Sequence, residues 1–144
     1  MAAILDDPSK RIEGAIQWIL RNEVGPFAYF QARVDSLSGW PIFIKGSYNP
    51  ESSKLAFALI HQGYGRRIYG LCLGNLHTNR DRTRVGSPHK HRWTEIDDQF
   101  AYSPSDITAR ATEPVEAWVQ FCREARIKHV GRLQAPPPNQ TELL

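Results

Sequence analysis

The chain has 144 residues, 41% of them hydrophobic and 23% charged, with a net charge of +3; this is the balance of an ordinary globular domain with one core. No apolar run approaches the roughly 20 residues that cross a bilayer, and Asp6 and Asp7 stand where a secretory leader would carry bases, so the expected setting is cytoplasmic. Cys72 and Cys122 are too few for a disulfide framework, and both fall on apolar faces, as buried thiols do.

Asp7-Pro8 reads as a helix start. Ile12, Ala15, Ile16, Ile19 and Leu20 then follow a one-sided helical spacing, ending near Asn22 before Gly25-Pro26. Strands come next. Phe30, Ala32 and Val34 alternate with polar neighbours, Ser36 to Gly39 turns the chain, and Trp40, Ile42 and Ile44 alternate again. Ser47 to Ser53 is a loop, followed by the alternating Leu55, Phe57 and Leu59. A turn at Gln62-Gly63-Tyr64-Gly65 leads to Ile68, Gly70 and Cys72. Period-2 patterning with short turns predicts a four-stranded antiparallel meander.

Gly74 to Ser87 is polar and turn-rich, and a loop of that length inside a compact domain is often functional. A fifth strand is expected at 89–94, a turn near Asp97-Asp98 and a sixth strand at 100–102. A last helix should follow, capped by Thr112, with Pro114 in its first turn and Val115, Trp118, Cys122 and Ala125 as its apolar stripe. The fold class is α+β: a curved antiparallel sheet of five or six strands with an N-terminal and a C-terminal helix, over residues 1–132. Residues 133–144, opened by Ala135-Pro136-Pro137-Pro138, read as a disordered tail. Trp18, Trp40 and Trp118 read as core or boundary aromatics, and His129, just past the last helix, needs no catalytic role.

Chemistry concentrates between His77 and Glu95. From His77 to Arg92 there are five Lys/Arg and one acid, Asp81. In a strand, residues two apart share a face, so His89, His91 and Trp93 lie on one side and Lys90 and Arg92 on the other. If the loop folds back over this strand, His77, Arg80, Arg82 and Arg84 join the histidines. Such a pocket suits metal-independent RNA cleavage. Histidine can take the 2′-OH proton and protonate the leaving oxygen, and arginine can clamp the phosphate. In this reading His89, His91, His77, Arg92 and Tyr102 carry the chemistry without a cofactor. Arg80, Arg82, Arg84, Lys90 and Trp93 bind RNA or another nucleic acid. A protein that masks the cationic loop would be the natural inhibitory partner of such a toxin-like endoribonuclease.

Two rivals stand beside it. His77, His89 and His91 could ligate a metal, with Glu95 or Asp98 as a fourth donor; no cysteine is near in sequence, and the surrounding cations oppose a dication. Alternatively, the chain is a non-catalytic interaction module or inhibitor that docks through its basic loop. The plain structural reading makes His89 and His91 strand residues that donate to carbonyls or acids across the Asp97-Asp98 turn.

Gly74-Asn75-Leu76-His77-Thr78-Asn79, then Ser87-Pro88-His89-Lys90-His91-Arg92-Trp93, then Ala101-Tyr102 resembles a group of small uncharacterised bacterial proteins. Their pattern is His-x-Asn, Gly-Pro-His-x-His-x-aromatic and a downstream Ala-Tyr. This chain has Ser87 where the group often has glycine, and Asn79-Arg80-Asp81 where it tends to have Asn-Pro-Asp-Gly. The resemblance implies that His77, His89 and His91 belong to one functional unit, and it implies no particular activity.

Overall fold

A computed structural model of the protein describes residues 2–21, 27–94 and 100–137. Within them, a short helix α1 (Ala2–Asp6) leads to β1 (Arg11–Glu13) and β2 (Ile19–Arg21). Four long strands follow: β3 (Phe27–Val34), β4 (Ile42–Asn49), β5 (Lys54–His61) and β6 (Arg66–Leu73). A two-stranded ribbon, β7 (His77–Thr78) and β8 (Arg84–Val85), precedes β9 (His89–Arg92) and β10 (Phe100–Tyr102). Helix α2 (Pro114–Ala125) and β11 (Lys128–Val130) complete the order.

The main sheet has seven strands in the order β10-β9-β6-β5-β4-β3-β2, each neighbouring pair antiparallel. The four-stranded meander of β3 to β6 is the one that alternation predicts. The sheet is wider than the expected five or six strands because β2 adds an edge to β3.

The expected helix over 8–22 does not form. Ile12 is buried in β1, which pairs in parallel with β11, and Ile16 bridges to Leu133. Gly14 sits between them at φ +92°, a backbone setting that favours glycine and breaks a helix. Ile19, placed on the apolar stripe by helical spacing, is 52% exposed. The chain also stays packed past the expected boundary at 132: Leu133 is buried, and the Trp18 indole donates to the Gln134 carbonyl at 3.0 Å.

Helix α2 covers one face of the sheet. Its Trp118 and Phe121 meet Phe30, Phe57 and Tyr69 at ring separations of 5.2–5.7 Å, the edge and offset packing that aromatic rings prefer. Proline opens the helix; the residue before it is Glu113, without a side-chain cap, instead of the expected Thr112. Arg126 ends it in the left-handed conformation, with its N–H returned to the last turn. Among the described residues the other sheet face carries no helix. The ribbon lies over it at the β6–β9–β10 end, which leaves β3 to β5 open.

Candidate metal centre

The ribbon begins at a neck. Gly74 leaves β6 at φ +93°, and its N–H donates to the Ser87 hydroxyl at 2.7 Å. Ser87-Pro88 is a cis peptide, and the chain then runs straight into β9. Because β6 and β9 flank this excursion, they pair antiparallel with Cys72 opposite His89 and Gly70 opposite His91. Directly opposed residues share a face. Cys72, His89 and His91 therefore stand together on the face away from α2.

Their donor atoms all lie within 4.8 Å of one another. His89 and His91 are 1% and 4% exposed, and Cys72 is half-buried. The ribbon supplies a third imidazole: the His77 ring lies 4.8 Å from His91 and 6.0 Å from His89, centre to centre. His77 is held there by Asn79, two residues on, which bonds to the backbone of Ala101 on β10; Ala101 in turn stands opposite His91.

The Nδ1 of His89 lies 3.0 Å from the Gly86 carbonyl; donation to it selects the tautomer whose Nε2 can ligate. Burial holds this imidazole below its usual pKa; the Gly86 and Asn75 carbonyls oppose that, while His77 and Arg67 reinforce it. The ring is therefore neutral at pH 7. Burial raises the Cys72 thiol, and Arg67 partly counters it by favouring the thiolate. Three imidazoles and a thiol gathered on one face under the ribbon form the N/S donor set of zinc and its neighbours. For Cys72, His89 and His91, bonds of roughly 2.0–2.3 Å in tetrahedral geometry need the widest donor pair to close by about 1 Å; His77 would have to bring its own nitrogen in from the ribbon.

Several sequence expectations are corrected by this geometry. Lys90 is not available to nucleic acid. It lies fully buried on the α2 side, bonded to both Asp106 carboxylate oxygens at 2.7 Å and to Glu124. Tyr102 sits on that same side, opposite Lys90, and donates to Glu124 at 3.1 Å. Arg92 also faces that way, over the Tyr102 ring. Neither can meet a substrate at the histidines through the sheet. Trp93 is past the end of β9, half-buried in a pocket with Ala2, Leu5 and Ile68, and is no free stacking platform. Arg80, Arg82 and Arg84 are exposed on the ribbon, as expected. Glu95 and Asp98, and the Asp97-Asp98 turn, lie outside the described residues.

Two residues were missed by the sequence reading. Cys72 is remote from the histidines in sequence, yet strand pairing makes it the neighbour of His89. Arg67 lies over Gly70, where a side chain would collide with it, and its charge acts on both Cys72 and His89. His129 accepts from the Trp118 indole at 3.0 Å and lies 2.7 Å from the Gly14 carbonyl.

A family model described as a family of unknown function (DUF6978) matches residues 42–127. That is more than half of the chain, and the chain belongs to this family. The matched span contains the ribbon, β9 and all four donor residues. No curated protein and no solved structure matches. Among the described residues no helix is long and apolar enough to cross a membrane.

Proposed function

We propose that this member of the family is a metal-binding protein in which Cys72, His89 and His91 hold a zinc-class ion and His77 closes the fourth position. The observation that carries this reading is the mutual reach of the Cys72, His89 and His91 donor atoms, 4.8 Å or less, beneath the His77 ring. With four protein ligands the site is closed, as structural zinc sites are. The ion then fastens the arginine-bearing ribbon to the sheet.

The test is metal content after purification without metal-chelate resin, followed by cobalt titration of the chelator-stripped protein. About one equivalent of metal, and a thiolate-to-cobalt charge-transfer band that vanishes in Cys72→Ser, is the expected result. A protein that purifies metal-free and takes up neither zinc nor cobalt overturns the proposal.

A second reading is favoured by Arg67. Beside His77, His89 and His91 it supplies the fixed cation that metal-free RNA cleavage requires, in place of Arg92. Cleavage of an RNA pool in excess EDTA, abolished by His89→Ala and by Arg67→Ala, would support it. Against it stands the burial of His89 and His91, which a ribose would have to reach.

A further inference from the structure

The sheet face left open by the ribbon has an uneven composition. Its strand positions on β2 to β5 carry Arg21, Arg33, Lys45 and Lys54, and no Asp or Glu. Asp35, just past β3, pairs with Arg33 at 3.3 Å, both side chains mostly exposed, and Glu51 stands in the β4–β5 turn, its N–H donating to Asn49. The opposite face of the same strands is the apolar core under α2. Within β2 to β5 the positive charge is thus confined to one side.

Aromatic rings lie among these cations. Phe27 and Tyr29 stack at 6.3 Å with their planes 17° apart, and the Arg21 guanidinium covers the Tyr29 ring at 4.5 Å. Lys45 stands 6.0 Å over the ring of Phe43. Phe27 is 37% exposed, unusual for a phenylalanine on a strand. Between the rings the floor is low, because Ser47, Ala56 and Ala58 are the facing residues there. Two grooves run across it. One of about 630 Å³ is lined by Arg33, Trp40, Phe43 and Lys45, and one of about 450 Å³ by Phe27, Asn49, Lys54 and Asn75 at the foot of the ribbon.

We infer that this face binds single-stranded nucleic acid. Cations spaced between aromatic planes on a shallow floor match an anionic backbone that carries flat bases. Three eight-residue strands, β3 to β5, about 4.8 Å apart, with the three-residue β2 at their edge, give a platform roughly 15 by 25 Å, long enough for about 4 nucleotides, the lower end of single-strand site sizes. A duplex hides its base faces and leaves the rings without partners. An acidic peptide would satisfy the charges and leave the rings unused. The inference stands on the sheet face alone and does not depend on a metal.

The test is fluorescence anisotropy of a short labelled oligouridylate with the full chain, in parallel with a duplex of equal length and with polyglutamate as competitor. Lys45→Glu and Tyr29→Ala are compared with Arg123→Glu, which makes the same charge change as Lys45→Glu on the exposed side of α2. Thermal melting confirms that each variant is folded. Binding of the single strand should weaken at least about tenfold in Lys45→Glu and several-fold in Tyr29→Ala, and remain near wild type in Arg123→Glu. The salt dependence in Lys45→Glu should become shallower by about one unit of log–log slope. No binding, equal loss in Arg123→Glu, equal affinity for the duplex, or displacement by polyglutamate at equal charge would each overturn the inference.

Discussion

Asn79 takes both main-chain groups of Ala101: its Nδ2 donates to the Ala101 carbonyl at 2.9 Å, and its Oδ1 accepts the Ala101 N–H at 2.8 Å. One side chain thereby does for the edge strand β10 what another strand would do. Because Ala101 is registered against His91, the same two bonds set the height of His77 over the histidine pair. This gives the His-x-Asn and Ala-Tyr elements of the sequence a common physical purpose.

Asn79→Ala should therefore act in two ways. It leaves a buried N–H and C=O of Ala101 unpaired, at a cost of about 1–3 kcal/mol, read from urea unfolding of the metal-free protein. It also loosens His77, and support of this kind is worth about 10- to 100-fold in metal affinity, read by competition against a chromophoric chelator. A variant that loses stability and keeps wild-type affinity would show that His77 is not a ligand.

The long strands and the shared face of His89 and His91 were legible because period-2 alternation is a local signal. The N-terminal segment was misread because Ile12, Ala15, Ile16 and Ile19 satisfy helical spacing equally well. The parallel partner that makes Ile12 a strand residue is β11, more than a hundred residues away. Cys72 was missed for a related reason. Its nearness to His89 follows from antiparallel pairing of the strands on either side of the ribbon, which a sequence-neighbour criterion overlooks. Alternation correctly put Lys90 on the face opposite the histidines. It could not tell which face α2 would cover, so a buried cation was read as a surface one.

Metal affinity should rise with pH across neutrality, and the thiol should set the slope. Burial raises the Cys72 pKa, so the metal-free protein carries a thiol that must lose its proton on binding; each unit of pH then gains about tenfold. His89 is held below its usual value of 6.5 and is already neutral, so its proton competes only at lower pH. Isothermal titration of zinc in two buffers of different ionisation heat should report about one proton released near pH 7. Cys72→Ser should remove most of that release. Release unchanged in this variant would take Cys72 out of the ligand set.

Gly74→Ala tests the neck of the ribbon. Gly74 has φ +93°, and a Cβ there would lie 2.2 Å from the Ser53 carbonyl oxygen. Backbone strain and collision together should cost about 2 kcal/mol or more. The loss should centre on the ribbon, since the Gly74 N–H bond to Ser87 closes its base. Hydrogen exchange should quicken at 75–87 before it does in β4 and β5. Uniform acceleration across the sheet would mean that the neck is part of the global fold and not a local fastening.

Lys90→Met tests whether the two faces of β9 work separately. Lys90 is fully buried, yet its partners Asp106 and Glu124 keep side-chain exposures of 48% and 37%. Removing the cation therefore returns two carboxylates to water and does not strand them in a dry core, which moderates the penalty of breaking a buried pair. What is lost is a set of charge-assisted bonds that pins α2 and the segment before it to β9, together with the Tyr69 and Tyr102 hydroxyls that share Glu124. A loss of about 2 kcal/mol in stability is expected, measured by urea unfolding. Metal stoichiometry and the cobalt spectrum should not change, because Cys72, His89 and His91 lie across the sheet. If Lys90→Met instead abolished metal uptake in a protein that still folds, the α2 side would belong to the site, and a ligand set confined to the ribbon-covered face would be wrong.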